Sequence, residues 1–272
     1  MSYTPTAHSV SYEAISATNP SISAAGKVVL ITGAGSGIGN SASFAFAKAG
    51  AKALILLGRR VELLEQVAKS IHEKGLDTET ACYAVDVCDE QVVKSTLSQT
   101  VFKYGRIDIV IHAAGALPPL GPLATVPLDD LWRAFEVNIK GFLTLAQAML
   151  AVTTSDQESP SHPVVIVLNT AGSIMPPLPG MGGYVASKMS SLKLAEYLAS
   201  ENKDKLRFIS AGLKCPYDDI SLPADFLVWA ASQEAAFLNG KFVFANWDVE
   251  ELKASAGKIE GGADLSLMLR GL

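Results

Sequence analysis

A tyrosine and a lysine stand four residues apart in the small, apolar stretch GGYVASKMSSLK at positions 182–193. Residues at i and i+4 share one face of a helix, so the Tyr184 hydroxyl and the Lys188 ammonium can approach each other there. A free tyrosine titrates near pH 10, so a phenol that moves protons near neutrality needs its pKa lowered by about three units, or roughly 4 kcal/mol. A neighbouring cation supplies part of that shift. The pair therefore indicates either acid–base chemistry or an ordinary surface pair, and the rest of the chain must decide between them.

A glycine-rich turn lies in LITGAGSGIGN, at positions 30–40, between an apolar strand pattern and a helical one. Glycine permits a tight turn and lets backbone N–H groups approach a pyrophosphate at a helix N-terminus, where the helix dipole favours negative charge. The alternative is a turn that only packs the strand against the helix. The strand–glycine–helix context favours the first interpretation. We therefore predict a dinucleotide site with contacts from Gly33, Ser36, Gly37, Ile38 and Gly39.

The residues after the second predicted strand bear on which dinucleotide binds. A carboxylate at that place would bind the adenosine ribose hydroxyls, whereas an arginine would accommodate a 2′-phosphate. The chain has LLGRR, with Gly58 in place of the acid, followed by Arg59 and Arg60. A guanidinium matches a phosphate in charge and shape. This pattern favours NADP(H) over NAD(H), and the alternative is that both arginines only begin a solvated helix.

Short apolar runs alternate with longer helical patterns along the chain. The runs that predict strands are KVVLIT, KALILL, ETACYAVDV, RIDIVIHAAG, PVVIVLN, LRFIS and GKFVFAN, and a long helix is predicted over about 128–151. Continuous apolar strands separated by helices are typical of a parallel sheet covered on both faces. Right-handed connections then give an α/β, doubly wound sheet in a single domain over residues 25–272. Residues 1–24, rich in Ser, Thr and Ala, are predicted to form a mobile tail.

Composition argues against several other classes of protein. The net charge is −5 and no basic stripe stands out, which argues against a nucleic-acid partner. The three cysteines, Cys82, Cys88 and Cys215, have no CxxC spacing, and the four histidines form no HExxH pair, so we expect neither a disulfide framework nor a metal site. The longest apolar runs stay at strand length, and the N-terminus lacks the pattern of a secretion signal. These features predict a cytoplasmic protein without a membrane partner.

Several short motifs follow one another in a fixed order along the chain. They are Thr32-Gly-x-x-x-Gly-x-Gly, Asp86-Val87, Ala114-Gly115, Asn138 and Tyr184-x-x-x-Lys188. In order and spacing this set resembles the short-chain dehydrogenase/reductase family, over about residues 25–250. The stretches MPPLPGMGGYVASKMSSLKLAEYLASEN and FLNGKFVFANWDVEELKA are similar to a branch common in filamentous fungi. The resemblance implies a Rossmann-type domain, a nicotinamide cofactor, carbonyl/alcohol redox chemistry and a homodimer or homotetramer.

The resemblance also implies roles for individual residues. Tyr184 exchanges a proton with the substrate oxygen, and Lys188 holds the nicotinamide ribose. Asn138 holds a water for proton relay, the alternative being an ordinary mid-helix asparagine. Asp86 contacts the adenine, the alternative being a strand-end cap. The remaining implied cofactor contacts are Val87, Ala114 and Gly115.

Three stretches depart from the family's pattern near the predicted site, and two of them follow strands four and five. Where the family has a substrate-orienting hydroxyl after strand five, the chain has VLNTAGSIMPPLPGMGGY, and the alignment favours Thr170, with Ser173 as the alternative. A threonine hydroxyl makes the same hydrogen bonds as a serine, with a stiffer χ1. The usual Asn-Asn-Ala-Gly after strand four is HAAG here. His112 is interpreted as a structural substitute at a strand end rather than as a catalyst.

The largest departure follows strand six, in FISAGLKCPYDDISLP. The family's Pro-Gly turn is missing, with Cys215-Pro216 nearby, and the substrate lid is shorter by roughly ten residues. The apolar IMPPLPGM segment favours an apolar substrate, and the fungal likeness favours secondary metabolism. The leading hypothesis is therefore an NADP(H)-dependent oxidoreductase that interconverts a carbonyl and an alcohol on a mostly apolar small molecule. The alternatives are a non-redox isomerase, dehydratase or cyclase that uses Tyr184 and Lys188, and an inactive scaffold.

Overall fold

A parallel β-sheet of seven strands forms the centre of the protein in the computed structural model, which describes residues 2–153, 162–213 and 218–268. The strands are β1 (Val28–Thr32), β2 (Ala53–Gly58), β3 (Glu79–Ala84), β4 (Ile109–His112), β5 (Val164–Thr170), β6 (Arg207–Leu213) and β7 (Phe242–Phe244). They pair in the order β3-β2-β1-β4-β5-β6-β7. Most of the predicted polar loop SDQESPSHP lies outside the described residues, as does the pair Cys215-Pro216.

Helices cover both faces of the sheet. They are α1 (Gly37–Lys48), α2 (Val61–Glu73), α3 (Glu90–Tyr104), α4 (Leu128–Phe135), α5 (Gly141–Val152), α6 (Gly182–Glu201), α7 (Ser221–Ala231), α8 (Val249–Ala254) and α9 (Ala256–Gly261). Successive strand residues point to opposite faces, so Val29 and Ile31 of β1 join the core under α1 and α7. Val28 and Leu30 join the core under α3 and α5. The prediction of a single-domain, doubly wound parallel sheet is confirmed.

The strand order reverses between β1 and β4. The sheet continues from β1 to β2 and β3 on one side, and from β4 to β5, β6 and β7 on the other. Thr32 and His112, the last residues of β1 and β4, are paired in register. Ligands of open α/β sheets bind in the crevice at the carboxyl ends of the strands where the order reverses. The loops that follow Thr32 and His112 are therefore the expected place of a ligand site.

The predicted long helix is present over 128–152, within one residue of the predicted 128–151. α4 continues through a π-helical turn, Glu136–Lys140, directly into α5. Its length and hydropathy would suffice to cross a membrane, and no other helix in the described ranges passes this test. This finding corrects the expectation that the longest apolar runs stay at strand length. Phe142, Leu145 and Ala146 of α5 are fully buried against the sheet, which is the packing of a core helix.

Residues 2–24 are packed on the domain, which differs from the predicted mobile tail. Ile15 and Ile22 belong to the core that α7 also enters, and they are 0% and 2% exposed. Farther toward the N-terminus, His8 Nε2 lies 2.8 Å from the Asp248 carboxylate. The apolar side chains of this segment follow neither a helical nor a strand period. Periodicity, the primary signal in a sequence, therefore could not reveal the packing.

Candidate active site

A cleft of about 600 Å³ opens at the carboxyl ends of β1, β2, β3 and β4. Its wall contains the residues predicted for cofactor contact from the loops after these strands, namely Gly33, Ser36, Gly37, Ile38, Gly39, Arg59, Arg60, Asp86, Val87, Ala114 and Gly115. Four loops that are distant in sequence thus meet around one groove. Its volume is within the range of cofactor and ligand sites in proteins.

The turn between β1 and α1 requires glycine for two different reasons. Gly33 has φ +68°, and a Cβ there would lie 2.8 Å from Ala114 N; a Cβ on Gly39 would lie 2.4 Å from Gly33 O. Gly37 has φ +55° but open space within 4 Å of its missing Cβ, so its backbone is accessible from the cleft. Ser36, the N-cap of α1, makes no side-chain capping hydrogen bond, which leaves the first N–H groups of α1 to a ligand. The turn therefore fits the diphosphate of a dinucleotide.

The side chains after β2 and β3 lie on the rim of the cleft. Arg59 and Arg60 are exposed there, next to Gly58, and no carboxylate takes the place of Gly58. Asp86 is exposed in the cleft wall, and its Oδ1 accepts a hydrogen bond from Cys88 N at 2.9 Å. Asp86 thus caps the turn after β3 and also lines the groove, and its contact with an adenine stays a prediction.

Tyr184 and Lys188 lie on the same face of α6. Lys188 Nζ lies 6.0 Å from the centre of the Tyr184 ring and donates a hydrogen bond to the Leu168 carbonyl at 3.0 Å. Lys188 is 6% exposed, and burial lowers the pKa of its ammonium to about 8. The side chain is therefore still mainly charged near neutrality, and a cation at this place favours the ionised form of a neighbouring phenol.

Gly115 connects the cleft to this helix face. A Cβ on Gly115 would lie 3.3 Å from Lys188 Nζ and 3.3 Å from Asn138 Oδ1. Any side chain at this position would occupy the space between the cleft and the lysine. Leu168, whose carbonyl holds the ammonium, also lines the cleft. The groove and the Tyr184–Lys188 pair therefore belong to one site.

Asn138 lies in the π turn and is 2% exposed. Its Oδ1 accepts from Ala116 N at 2.8 Å, and its Nδ2 donates to Ala116 O at 2.8 Å and to Ser187 Oγ at 2.9 Å. The Ser187 hydroxyl donates in turn to the Tyr184 carbonyl at 2.7 Å. A π turn in an α-helix is frequent at functional sites, because it redirects one side chain. Here it directs Asn138 between the loop after β4 and α6.

The two candidates for the substrate-orienting hydroxyl have different surroundings. Thr170, at the end of β5, is half-buried, and its Oγ1 accepts from Gly172 N at 3.3 Å. Ser173 is 4% exposed, and its hydroxyl donates to Asn169 Oδ1 at 2.8 Å. The Thr170 hydroxyl retains its proton for a further acceptor, whereas that of Ser173 is already donated inside the protein. The geometry favours Thr170.

Comparison with known proteins agrees with this geometry. The family model for short chain dehydrogenases matches residues 27–216. The chain belongs to the short-chain dehydrogenase family. A short chain dehydrogenase/reductase of Claviceps purpurea is 30% identical over 92% of this chain and 88% of the relative. A short chain dehydrogenase of Monascus purpureus is 28% identical over 93% of each chain, so the relatives are those of a filamentous-fungal branch.

The fold is also that of solved short-chain dehydrogenases. NAD⁺-bound xylitol dehydrogenase superposes with a TM-score of 0.74 at 22% identity, over 83% of this chain and 99% of the other. At this identity the likeness establishes the shared fold. The family binds a nicotinamide cofactor, and the residues of the groove at β1 and β4 fit the diphosphate of such a cofactor.

In this short-chain dehydrogenase, His112 and Ala113 stand where the family's paired amides follow β4. His112 is 1% exposed, and its Nδ1 lies 3.1 Å from Thr32 Oγ1, which accepts a hydrogen bond from Ala114 N at 3.1 Å. Burial lowers the pKa of the imidazole to about 3, with a further contribution from the charge of Lys188, so the ring is neutral near pH 7. His112 thus joins β4 to β1, in agreement with its interpretation as a structural substitute.

Two residues of the site carry no motif and were not predicted. Ser187 links Asn138 to the backbone of Tyr184, and it is 0% exposed. Asn169 accepts from the Ser173 hydroxyl and donates from its Nδ2 to the Lys188 carbonyl at 3.0 Å. A polar residue directly after the buried core of a strand is the one signal that would have pointed to Asn169. Both residues fix α6, the helix of the reacting pair.

Proposed function

We propose that this short-chain dehydrogenase is an NADP(H)-dependent oxidoreductase that interconverts a carbonyl and an alcohol on a mostly apolar small molecule. The observation that carries the proposal is the opening of the cleft onto Lys188 at Gly115, where a Cβ would lie 3.3 Å from the ammonium. Residues suited to a diphosphate and residues suited to proton transfer thus share one groove. Gly115 and Lys188 are the residues that would hold the nicotinamide end of the cofactor.

The proposed chemistry follows from the roles of the side chains. A bound nicotinamide cofactor supplies or accepts the hydride in such a reaction. Tyr184 gives its proton to the substrate oxygen during reduction and takes it back during oxidation. Lys188, whose Nζ lies 6.0 Å from the centre of the Tyr184 ring, stabilises the phenolate that remains by its positive charge. The Thr170 hydroxyl donates a hydrogen bond to the same substrate oxygen and orients it.

The residues after β2 support the choice of NADP(H). Arg59 and Arg60 line the cleft, and Gly58 leaves no carboxylate to repel a 2′-phosphate. A charge-assisted hydrogen bond contributes about 1.5–3 kcal/mol, so the loss of these partners should weaken NADPH binding by roughly ten- to a hundred-fold. Xylitol dehydrogenase binds NAD⁺, but at 22% identity it shares only its fold with this chain, so its choice of cofactor does not bear on the choice made here.

Apolar side chains around the mouth of the site support an apolar substrate. The loops after β4 and β5 expose Leu117, Leu120, Leu123, Ile174, Met175 and Leu178. These loops touch, since Gly121 N donates to Gly180 O at 3.1 Å just before α6 begins. An apolar surface beside polar reacting groups is the usual composition of a small-molecule site. The fungal relatives add support for a role in secondary metabolism.

The proposal is tested by a reductase assay with NADPH and NADH over a panel of apolar ketones. The measured quantity is the loss of absorbance of the reduced cofactor. We expect turnover with NADPH, and a preference for NADPH that the double substitution Arg59→Ala/Arg60→Ala removes by raising its KM. Lys69→Ala, on the exposed face of α2, is the matched control and should leave the KM unchanged. A wild-type preference for NADH, or equal effects on both cofactors, would overturn the NADP(H) assignment.

A non-redox reaction is the second candidate. Its supporting observation is that residues 214–220 alone connect β6 to α7, with no Pro-Gly after the strand. Tyr184 and Lys188 can move protons without a hydride, so an isomerase, dehydratase or cyclase would keep the same pair. Substrate turnover without any change in cofactor absorbance, lost in Tyr184→Phe, would favour this candidate over the first.

The proposed enzyme acts in the cytoplasm as a homodimer or homotetramer, on a small molecule and without a nucleic-acid or membrane partner. The net charge of −5 supports the absence of a nucleic-acid partner, and the burial of α5 in the core supports the absence of a membrane partner. Light scattering of the purified protein tests the oligomeric state, and fractionation of the producing cells tests the location.

A further inference from the structure

A second cavity, of about 160 Å³, lies at the edge of the sheet opposite the cofactor cleft. Its wall comes from residues at the amino ends of β1, β4, β5 and β6, from the N-terminal segment 21–24 and from the end of α7. The volume is well above the ~15 Å³ that one water molecule needs. Three positive side chains, Lys27, Arg106 and Arg207, line it together with one negative side chain, Asp108.

The single carboxylate of this wall is shared by two of the cations. Asp108 Oδ1 lies 3.4 Å from Lys27 Nζ and 2.8 Å from Arg106 Nε, and Oδ2 accepts from Val28 N at 2.9 Å. Both cations are partly exposed at the mouth of the cavity, at 34% and 27%. Arg207 therefore has no carboxylate partner in the described part of the chain, and the wall carries an excess of positive charge.

Arg207 is the buried member of this set, at 6% exposed. Its Nη2 donates to the carbonyls of Ala231 and Ser232 at the end of α7, at 3.1 and 3.2 Å, whereas Nε and Nη1 have no hydrogen-bond partner among the described residues. Burial lowers the pKa of the guanidinium to about 10, which leaves it charged near neutrality. Buried donors are almost always paired, and a buried charge without a counter-charge is costly, so an acceptor is missing here.

We propose that this cavity binds a small oxyanion of the phosphate class, with Arg207 as its buried anchor and Lys27 and Arg106 at its mouth. The planar fork of a guanidinium matches the paired oxygens of such an anion. Ser21 and Ser23 add hydroxyl groups to the wall from the N-terminal segment. The bound anion would thus join that segment to the sheet and stabilise the folded chain by linkage.

The test is a calorimetric titration of the full chain with inorganic phosphate at constant ionic strength in chloride. Phosphate can also enter the cofactor cleft, so Arg59→Ala/Arg60→Ala serves as the matched control. We expect a saturable site that this control retains and that Arg207→Gln loses. Lys27→Gln, which leaves Arg207 and the Arg106–Asp108 pair in place, should weaken binding by about ten-fold, or 1.4 kcal/mol. It keeps the test decisive if Arg207→Gln does not fold.

The proposal is overturned by any of three results: no saturable phosphate binding, binding that disappears in the cleft control, or binding unchanged by Lys27→Gln and Arg207→Gln. Glycerol phosphate titrated in parallel distinguishes the source of the anion. Tighter binding of inorganic phosphate supports a site for the free ion, and tighter binding of the ester supports a site for a phosphorylated metabolite.

Discussion

The side-chain amide of Asn138 donates a hydrogen bond to the hydroxyl of Ser187 at 2.9 Å. This bond joins the π turn of the long helix to the helix that carries Tyr184 and Lys188. Because Asn138 also binds both the N–H and the carbonyl of Ala116, three segments are tied together within hydrogen-bonding distance of one amide. Reacting groups must be held in a fixed geometry for catalysis, and this network provides it.

Removal of the Ser187 hydroxyl tests this network. We expect Ser187→Ala to lower the free energy of unfolding by about 1–3 kcal/mol, because a buried donor of Asn138 loses its acceptor. The kcat should fall, while the KM for the cofactor stays close to that of the wild type. Ser190→Ala is the matched control, since the Ser190 hydroxyl donates to Ala186 O on the same helix and to no other described residue. Urea denaturation and steady-state kinetics check both variants, and equal effects of the two substitutions would contradict the assigned role.

Removal of the Lys188 ammonium should abolish activity without lowering stability. Burial shifts its pKa from 10.5 to about 8, so the folded state binds this proton less tightly than the unfolded state. The shift of about 2.5 units corresponds to as much as ~3 kcal/mol near neutrality. We expect Lys188→Met to abolish turnover while the free energy of unfolding stays equal or rises.

The same shift predicts how the stability of the wild type depends on pH. Between pH 8 and 10.5 the unfolded chain holds the Lys188 proton and the folded chain does not, so stability should rise with pH in this window. Urea titrations across the window measure the slope. Lys188→Met should show a smaller rise of stability between pH 8 and 10.5 than the wild type. The same slope in the wild type and in Lys188→Met would contradict the assignment of the rise to Lys188.

His112 should determine how stability depends on pH on the acidic side of neutrality. Burial lowers its pKa from 6.5 to about 3, so stability should be full above pH 6.5 and fall as the pH decreases toward 3, by up to about 1.4 kcal/mol per pH unit. His112→Asn should flatten this part of the profile. His72→Asn, at an exposed position of α2, is the control and should leave the slope unchanged. The idea fails if both variants show the wild-type slope.

Substitutions should show that the Thr170 hydroxyl contacts the substrate and that the Ser173 hydroxyl has a structural role. We expect Thr170→Val to lower kcat by roughly ten- to a hundred-fold with little loss of stability, and Thr170→Ser to restore activity, because the half-buried hydroxyl is the one available to substrate. Ser173→Ala should instead lower the free energy of unfolding by about 1 kcal/mol and keep its kcat, since it loses the bond to Asn169. The reverse pattern would assign the substrate contact to Ser173.

The cofactor side of the site was predictable from local signals. Gly33, Arg59 and Asp86 each follow closely after a strand, and the carboxyl ends of parallel strands meet at one edge of the sheet. The apolar runs therefore fixed both the fold and the place of these residues. The spacing of Tyr184 and Lys188 likewise needs only one helix.

The supporting bonds were not predictable, because they depend on tertiary packing. Asn138 and Ser187 are far apart in the chain, and neither the spacing nor the composition indicates that they touch. The π turn that directs Asn138 has no signature in EVNIK. The burial of Ile15 and Ile22 escaped prediction because single apolar residues in a polar segment carry no period.

The turnover of Tyr184→Phe tests the central claim most directly. Single-turnover reduction of an apolar ketone by NADPH should be slower than in the wild type by about 10²–10⁴-fold, the usual contribution of a positioned acid, while NADPH binding measured by fluorescence stays unchanged. Reduction at the wild-type rate by a variant that still binds NADPH would contradict the account, because the proton would then come from another group.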